Sequence, residues 1–265
     1  MTYPSSKSPI ITLADWLDTP LGVYMRTWEQ ERLDALTSDI FGFKALQVGL
    51  PQIQALRANR MQYRWLSNTQ LPQFAAAGQT PDPYSVSVIH DLAELPFASQ
   101  SLDLVVLPHV LEFAEEPHQV LREVERVLIP EGQVIITGFN PASLWGMRQA
   151  VGRVTGAHFL PQYAEFISLL RLKDWLKLLN LEVNRGHFGC YLPPCKSEIW
   201  LRHFAFMEKT GDRWWPYFGA VYIVQAIKRV KGMTLIGPAW NNNASRIRRA
   251  VSVVNKTQQG NHGQG

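Results

Sequence analysis

The chain has 265 residues, 46% hydrophobic and 18% charged, which is enough apolar material for a sizeable core and excludes disorder as an overall description. Two cysteines, Cys190 and Cys195, exclude a disulfide scaffold; no Cys/His cluster has zinc-ligand spacing, and no apolar run approaches the roughly eighteen residues of a membrane span. Seven of the 26 Lys and Arg residues lie in 228–265, where no acid occurs, so 19 bases face 22 acids in residues 1–227 and the basic balance belongs to the tail.

Residues 1–9 lack the apolar centre of a signal peptide, which with the thiol count predicts a cytoplasmic protein. Thr12-Leu13-Ala14-Asp15 has capping-box spacing and predicts the start of a helix; after Pro20 a second helix is predicted over 21–39. Ala45–Val48 reads as a short buried strand closed by Gly49, Gln62–Leu66 as a second strand, and Tyr84–Ile89, β-branched and alternating, as a third ending at His90-Asp91. Leu102–Leu107 is continuously apolar, the pattern of a strand covered on both faces. Pro117 suits a first helical turn, and Val120, Leu121, Val124, Val127 and Leu128 follow as an apolar stripe. Gly132 closes that connection before a strand at Val134–Phe139. Leu172, Trp175, Leu176 and Leu179 mark another helix, and Leu181–Tyr191 and Ala220–Arg229 two further strands. Strands alternating with helices predict a parallel, doubly wound sheet whose ligand site lies beyond the strand C-termini.

Between the last two strands, 192–218 is dense in aromatics, among them Trp200, Phe204, Trp214 and Trp215, and reads as a satellite core or a lid over an apolar acceptor. The tail beyond residue 230 is basic, with a polar end at 257–265 whose composition predicts disorder. It is a solvated end or an electrostatic anchor for nucleic acid.

The richest stretch runs Asp91-Leu92-Ala93-Glu94-Leu95-Pro96-Phe97, Ser101–Val106, His109-Val110-Leu111-Glu112-Phe113, Arg126-Val127-Leu128-Ile129-Pro130-Glu131-Gly132 and Phe139-Asn140-Pro141. This order resembles the second half of the cofactor domain in class I S-adenosylmethionine (SAM)-dependent methyltransferases, most of all the branch holding quinone-biosynthesis and other small-molecule enzymes. The resemblance implies an α/β fold: a doubly wound, Rossmann-like sheet with an antiparallel C-terminal strand pair and the aromatic insertion between them. It implies helices over 1–39 packed on a methyltransferase-like domain at 40–230, followed by the tail 231–265. SAM is the implied cofactor and a small molecule the implied acceptor, with no metal. Nucleic acid enters as a partner only if the tail anchors an RNA substrate. The competing expectation is a binding or scaffold protein that keeps the fold and has lost SAM.

That competition comes from the cofactor loop. Where the family has an acid followed by Gly-x-Gly-x-Gly, this chain reads Gln47-Val48-Gly49-Leu50-Pro51-Gln52-Ile53: Gly49 alone remains, Pro51 lacks an N–H and Ile53 is β-branched. Asn68 stands near the position of the acid that grips the ribose. By resemblance, Asp91 accepts from the adenine amino group and Leu92 contacts the base; the bland alternative for Asp91 is a turn residue. His109 is placed at the crevice mouth, as acceptor base or as a wall of the cofactor pocket. Glu112 reads as a surface carboxylate or helix start. Asn140 reads as a helix cap ahead of Pro141, or as a hydrogen-bond donor to the acceptor between Phe139 and Trp145.

Overall fold

The computed structural model describes residues 9–69, 88–156, 160, 164–194 and 206–229. Met1–Val230 make one compact unit. The tail from 231, Tyr84–Ser87 of the expected third strand, and Trp200 and Phe204 of the insertion lie outside the described residues.

Seven strands form one sheet: β1 Lys44–Val48, β2 Tyr63–Asn68, β3 Val88–Ile89, β4 Leu102–Pro108, β5 Leu128–Phe139, β6 Leu181–Gly189 and β7 Val221–Lys228. Their spatial order is β3-β2-β1-β4-β5-β7-β6. The first five strands pair in parallel, whereas β7 runs antiparallel between β5 and β6, as the resemblance implied. The chain leaves β1 for one side of the sheet and enters β4 on the other, so the crevice at their carboxyl ends is a topological switch point.

The apolar run of β4 is explained by layers on both faces. Leu104 and Val106 join Ile135 beneath helices α1 (Pro9–Leu17) and α2 (Pro20–Ser38), packing with Leu13, Leu17, Met25 and Leu33. Val105 and Leu107 point the other way, with Val134 and Ile136. They pack under α3 (Pro117–Val127) and α5 (Leu169–Leu178) through Val120, Leu121, Val124, Leu172 and Leu176. Helix α4 (Leu144–Thr155) follows β5, and α6 (Phe206–Trp214) stands in the insertion before β7.

Three local features differ from the sequence expectation. Helix α1 is already under way at Pro9, so Thr12 is interior rather than a cap; the capping Thr is Thr19, whose Oγ1 accepts from Gly22 N–H at 3.2 Å. Strand β5 begins at Leu128, directly from α3, with no intervening loop. Lys228 of β7 makes that junction workable. Its ammonium donates to Glu125 O at 2.6 Å and Leu128 O at 3.0 Å and pairs with the Glu125 carboxylate at 2.9 Å, satisfying carbonyls a helix end leaves open. The third difference bears on the site. The connection 49–62 from β1 to β2 is a series of turns and bends with no helix, and it sends Leu50, Ile53, Ala55 and Leu56 into the core beneath α2.

The Leu-Pro-Phe and Arg-Val-Leu segments are explained by one side chain. Arg126 in the last turn of α3 donates to Leu95 O at 3.0 Å and Phe97 O at 3.0 Å and pairs with Glu123, which accepts from Leu95 N–H at 3.1 Å. These bonds fix the loop that leads from Asp91 to β4.

Candidate functional site

The carboxyl edge of the sheet is built from the ends of β1, β2, β3 and β4, and each end is held differently. After β1, Gly49 turns at φ 72° and Leu50 at φ 40°, in the left-handed region that favours glycine. The Gly49 N–H is spent on Ser67 O at 2.7 Å and the Ile53 N–H on Leu50 O at 3.0 Å. Gln47 braces the rest. Its buried Nε2 converges on three carbonyls, Gly49 O at 3.2 Å, Leu50 O at 3.1 Å and Ile53 O at 2.5 Å, while its Oε1 accepts from Ala55 N–H at 2.9 Å. A carboxylate in this position could not donate to those oxygens. The loop is therefore shaped by an amide where the resembled family has an acid. Ile53 is fully buried in the α1–α2 core.

The ends of β2 and β3 lie side by side, Asn68 opposite Ile89, with His90 N–H donating to Asn68 O at 3.1 Å. Here polar groups remain unspent. Asn68 Oδ1 accepts from Thr69 N–H at 2.8 Å, and its Nδ2 has no partner among the described residues. The exposed Asp91 carboxylate uses Oδ1 for Ala93 N–H at 3.1 Å in a turn, and its Oδ2 has no partner among the described residues. The half-buried His90 contacts Asp91 O through Nδ1 at 2.5 Å; a carbonyl only accepts, so Nδ1 carries the proton. In the neutral ring His90 Nε2 is then a lone pair, and it is buried without a hydrogen-bond partner. Leu92, half-buried, packs against both core layers.

Past β4, His109 adopts φ 50° and is buried, its backbone N–H bonded to Thr137 O. The imidazole lies between two carboxylates: Nδ1 stands 2.8 Å from Glu112 Oε2 and Nε2 3.3 Å from Glu29 Oε2. Burial disfavours the charged ring, but Glu29 and Glu112 outweigh it and lift the His109 pKa to about 10. At neutral pH both ring nitrogens donate and neither takes a proton from an acceptor, so the base reading does not follow from this geometry. Glu112 is not a surface group: it is buried, and its other oxygen accepts from Phe139 N–H. Glu29 Oε1 is buried with no hydrogen-bond partner. The sequence signal for Glu29 was its place four residues after Met25 and four before Leu33, on the apolar stripe of α2.

Asn140 is committed to backbone. Its Nδ2 donates to Tyr217 O at 2.8 Å and Gly219 O at 3.0 Å, and its Oδ1 accepts from Ala142 N–H at 3.1 Å. The cap of α4 is Ser143, three residues later. Phe139 and Trp145 are buried and each meets Trp16 edge-on, and Phe166 stacks on Phe139. Beside them Tyr24 donates to Glu208, which also accepts from the Cys190 and Tyr191 N–H groups. Burial raises both the Tyr24 phenol and the Cys190 thiol, so each keeps its proton at neutral pH.

Comparison with known proteins places this edge. Residues 65–136 match a family model described as a methyltransferase domain. The chain is 30% identical over 244 residues to the uncharacterized protein YafS of Escherichia coli, covering 92% of each. It is 31% identical over 148 residues to a malonyl-[acyl-carrier protein] O-methyltransferase of Laribacter hongkongensis, a match spanning 50% of this chain and 45% of that protein. A SAM-dependent methyltransferase structure from Thermotoga maritima superposes with a TM-score of 0.53 at 15% identity, covering 78% of this chain and 95% of that one. The seven-stranded sheet with its antiparallel β7 is thus a methyltransferase fold of the Rossmann-like class. The chain belongs to the class I SAM-dependent methyltransferase family, whose cofactor is S-adenosyl-L-methionine.

The β2–β3 edge fits the nucleoside half of that cofactor, because it offers one unspent donor and two unspent acceptors in a polar, part-exposed setting. The β1–β2 connection does not reproduce the family's glycine cradle for the methionyl half: its N–H groups at 49 and 53 are bonded internally, and Pro51 has none. When bound, SAM supplies the electrophilic sulfonium methyl.

Proposed function

We propose that this protein transfers a methyl group from SAM to a small acceptor at the carboxyl edge of β1 and β4. The observation that carries this reading is the set of polar groups on Asn68, His90 and Asp91 that have no partner among the described residues, at the ends of β2 and β3 to one side of the switch point of a methyltransferase-type sheet. In this reading Asp91 accepts from the adenine amino group, Leu92 backs the base, Asn68 faces the ribose, and Gly49 turns the chain beneath the sulfur. His109 and Asn140 border the transferred methyl as positioning residues. His109 fixes α2 over β4 through Glu29, and Asn140 holds the 217–219 turn. His109, Tyr24 and Cys190 all keep their protons at neutral pH, so rate enhancement rests on orientation of the acceptor rather than on these groups as bases. The malonyl-[acyl-carrier protein] enzyme shares only part of its length with this chain, and its acceptor is not carried over.

Calorimetric titration with SAM and S-adenosylhomocysteine tests the proposal. Dissociation constants in the micromolar range are expected, weakened about tenfold or more in Asp91→Ala by loss of a charged acceptor. Absence of heat at millimolar ligand overturns it and leaves the competing role of a scaffold with this fold.

A further inference from the structure

Two features of the carboxyl edge are opposite in kind. Most of the β1–β2 connection is tied down, with Gln47 bridging Gly49 O, Leu50 O and Ile53 O and the Gly49 N–H tied to Ser67 O, while Gln52 Oε1 is buried without a partner. The β2–β3 edge is unsatisfied: His90 Nε2 is a buried lone pair with no donor facing it. A buried acceptor without a partner costs about 1–3 kcal/mol, and a donor brought by a ligand would relieve that cost. His90 follows Ile89, which is in register with Asn68, and its N–H donates to Asn68 O at 3.1 Å, so its backbone adjoins the end of β2. Asn68 contributes an amide donor beside it, and the diol can both donate and accept.

Resting on the SAM reading above, we infer that His90 Nε2 accepts a hydrogen bond from the ribose 2′-hydroxyl, replacing the missing acid. The same balance makes the site selective for the adenosine moiety and nearly indifferent to the amino-acid end of the cofactor. An α-carboxylate needs free donors, and the 49–53 loop has spent or lacks the N–H groups at 49, 51 and 53, leaving those of Leu50 and Gln52.

The test is isothermal titration of the full chain with SAM, 5′-methylthioadenosine and 5′-methylthio-2′-deoxyadenosine. SAM and methylthioadenosine are expected within about fivefold of each other, since one net hydrogen bond is worth roughly 1 kcal/mol. His90→Ala should weaken methylthioadenosine about tenfold while leaving the 2′-deoxy analogue within about twofold, and His90→Gln, which keeps an acceptor, should restore part of the loss. Thermal unfolding of each variant reports whether the fold is intact. SAM binding more than about a hundredfold tighter than methylthioadenosine overturns the indifference, by showing that the loop grips the methionyl end. Equal losses on both nucleosides in His90→Ala overturn the ribose contact. If none of the three ligands binds wild type, the SAM reading itself falls, an outcome distinct from either of these.

Discussion

Gln47 and His109 show how much one side chain decides at this edge. The three carbonyls facing Gln47 Nε2 are acceptors only, so Gln47→Glu, although it moves the chain toward the family pattern, puts a carboxylate against like partial charge. We expect Gln47→Glu to cost about 2–4 kcal/mol in urea unfolding, at least as much as Gln47→Leu, because a buried unpaired charge is worse than a buried unpaired amide partner. A neutral or stabilising effect would show that the brace does not organise the loop. For His109 the sign of the pH effect follows from its raised folded pKa, about 10 against 6.5. Its stabilisation is fully present below about pH 6.5 and is lost as pH rises through 10. Between pH 7 and 9 wild type should lose about 1 kcal/mol per pH unit relative to His109→Gln, measured by urea unfolding at fixed ionic strength. The window stops at 9 because the Cys190 thiol and Tyr24 phenol, both raised by burial, also begin to erode stability above their ordinary values of 9.0 and 10.0. Parallel curves for the two proteins would show that the imidazole is not held charged between Glu29 and Glu112.

At the scale of elements, helix α2 turns a generic sheet into this particular edge. Gln30 bonds both Gln54 N–H and Gln54 O, Glu29 reaches His109, and Trp28 lies over Gly189 at the end of β6. The helix is seated against α1 at Gly22, where an added Cβ would stand 2.3 Å from Trp16 O and 2.6 Å from Leu17 Cα, both backbone atoms that cannot swing aside. Gly22→Ala is therefore expected to destabilise by about 2–3 kcal/mol despite alanine's better helix propensity, seen as a lowered Tm. An unchanged Tm would mean that α1 shifts freely on α2. The strands and α3 were legible in the sequence because apolar runs and 3.6-residue stripes record burial directly: Leu102–Leu107 and Val120–Val127 could hardly be misread. The missing crossover helix after β1 was not legible as such. Gly49-Leu50-Pro51 shows a damaged loop but not what replaces it, since Leu50, Ile53 and Leu56 are apolar enough to suit a helix or a buried loop alike. The Asp91–Phe97 segment was legible as a motif, whereas the surroundings of Glu29 and His90 were not, because they depend on partners distant in sequence or lacking altogether.

For the whole molecule, the question is whether residues 1–39 are an appendage on a self-sufficient methyltransferase domain. The packing argues that they are one of its layers. Leu13, Leu17, Leu21, Met25 and Leu33 share a continuous buried cluster with Leu104, Val106, Ile135 and Phe139 of the sheet, and with Leu50 and Ile53 of the cofactor-side loop. A parallel sheet needs cover on both faces. Stripping α1 and α2 would expose that face, and it would also leave the His109–Glu112 pair without Glu29 and the Gln54 backbone without Gln30. Loss of several fully buried side chains, each worth about 1.5–3 kcal/mol, is comparable to the whole 5–15 kcal/mol by which a typical domain is stable. A chain beginning at Asp39 is therefore expected to lack a cooperative unfolding transition and to bind a dye such as ANS, whereas removal of 231–265, outside the compact unit, should leave the Tm of the remainder within about 2 °C. Circular dichroism melts of the two truncations decide the matter. A cooperative melt from the 39–265 chain would show that the sheet is closed by its own helices alone and that α2 is not needed to hold the carboxyl edge together.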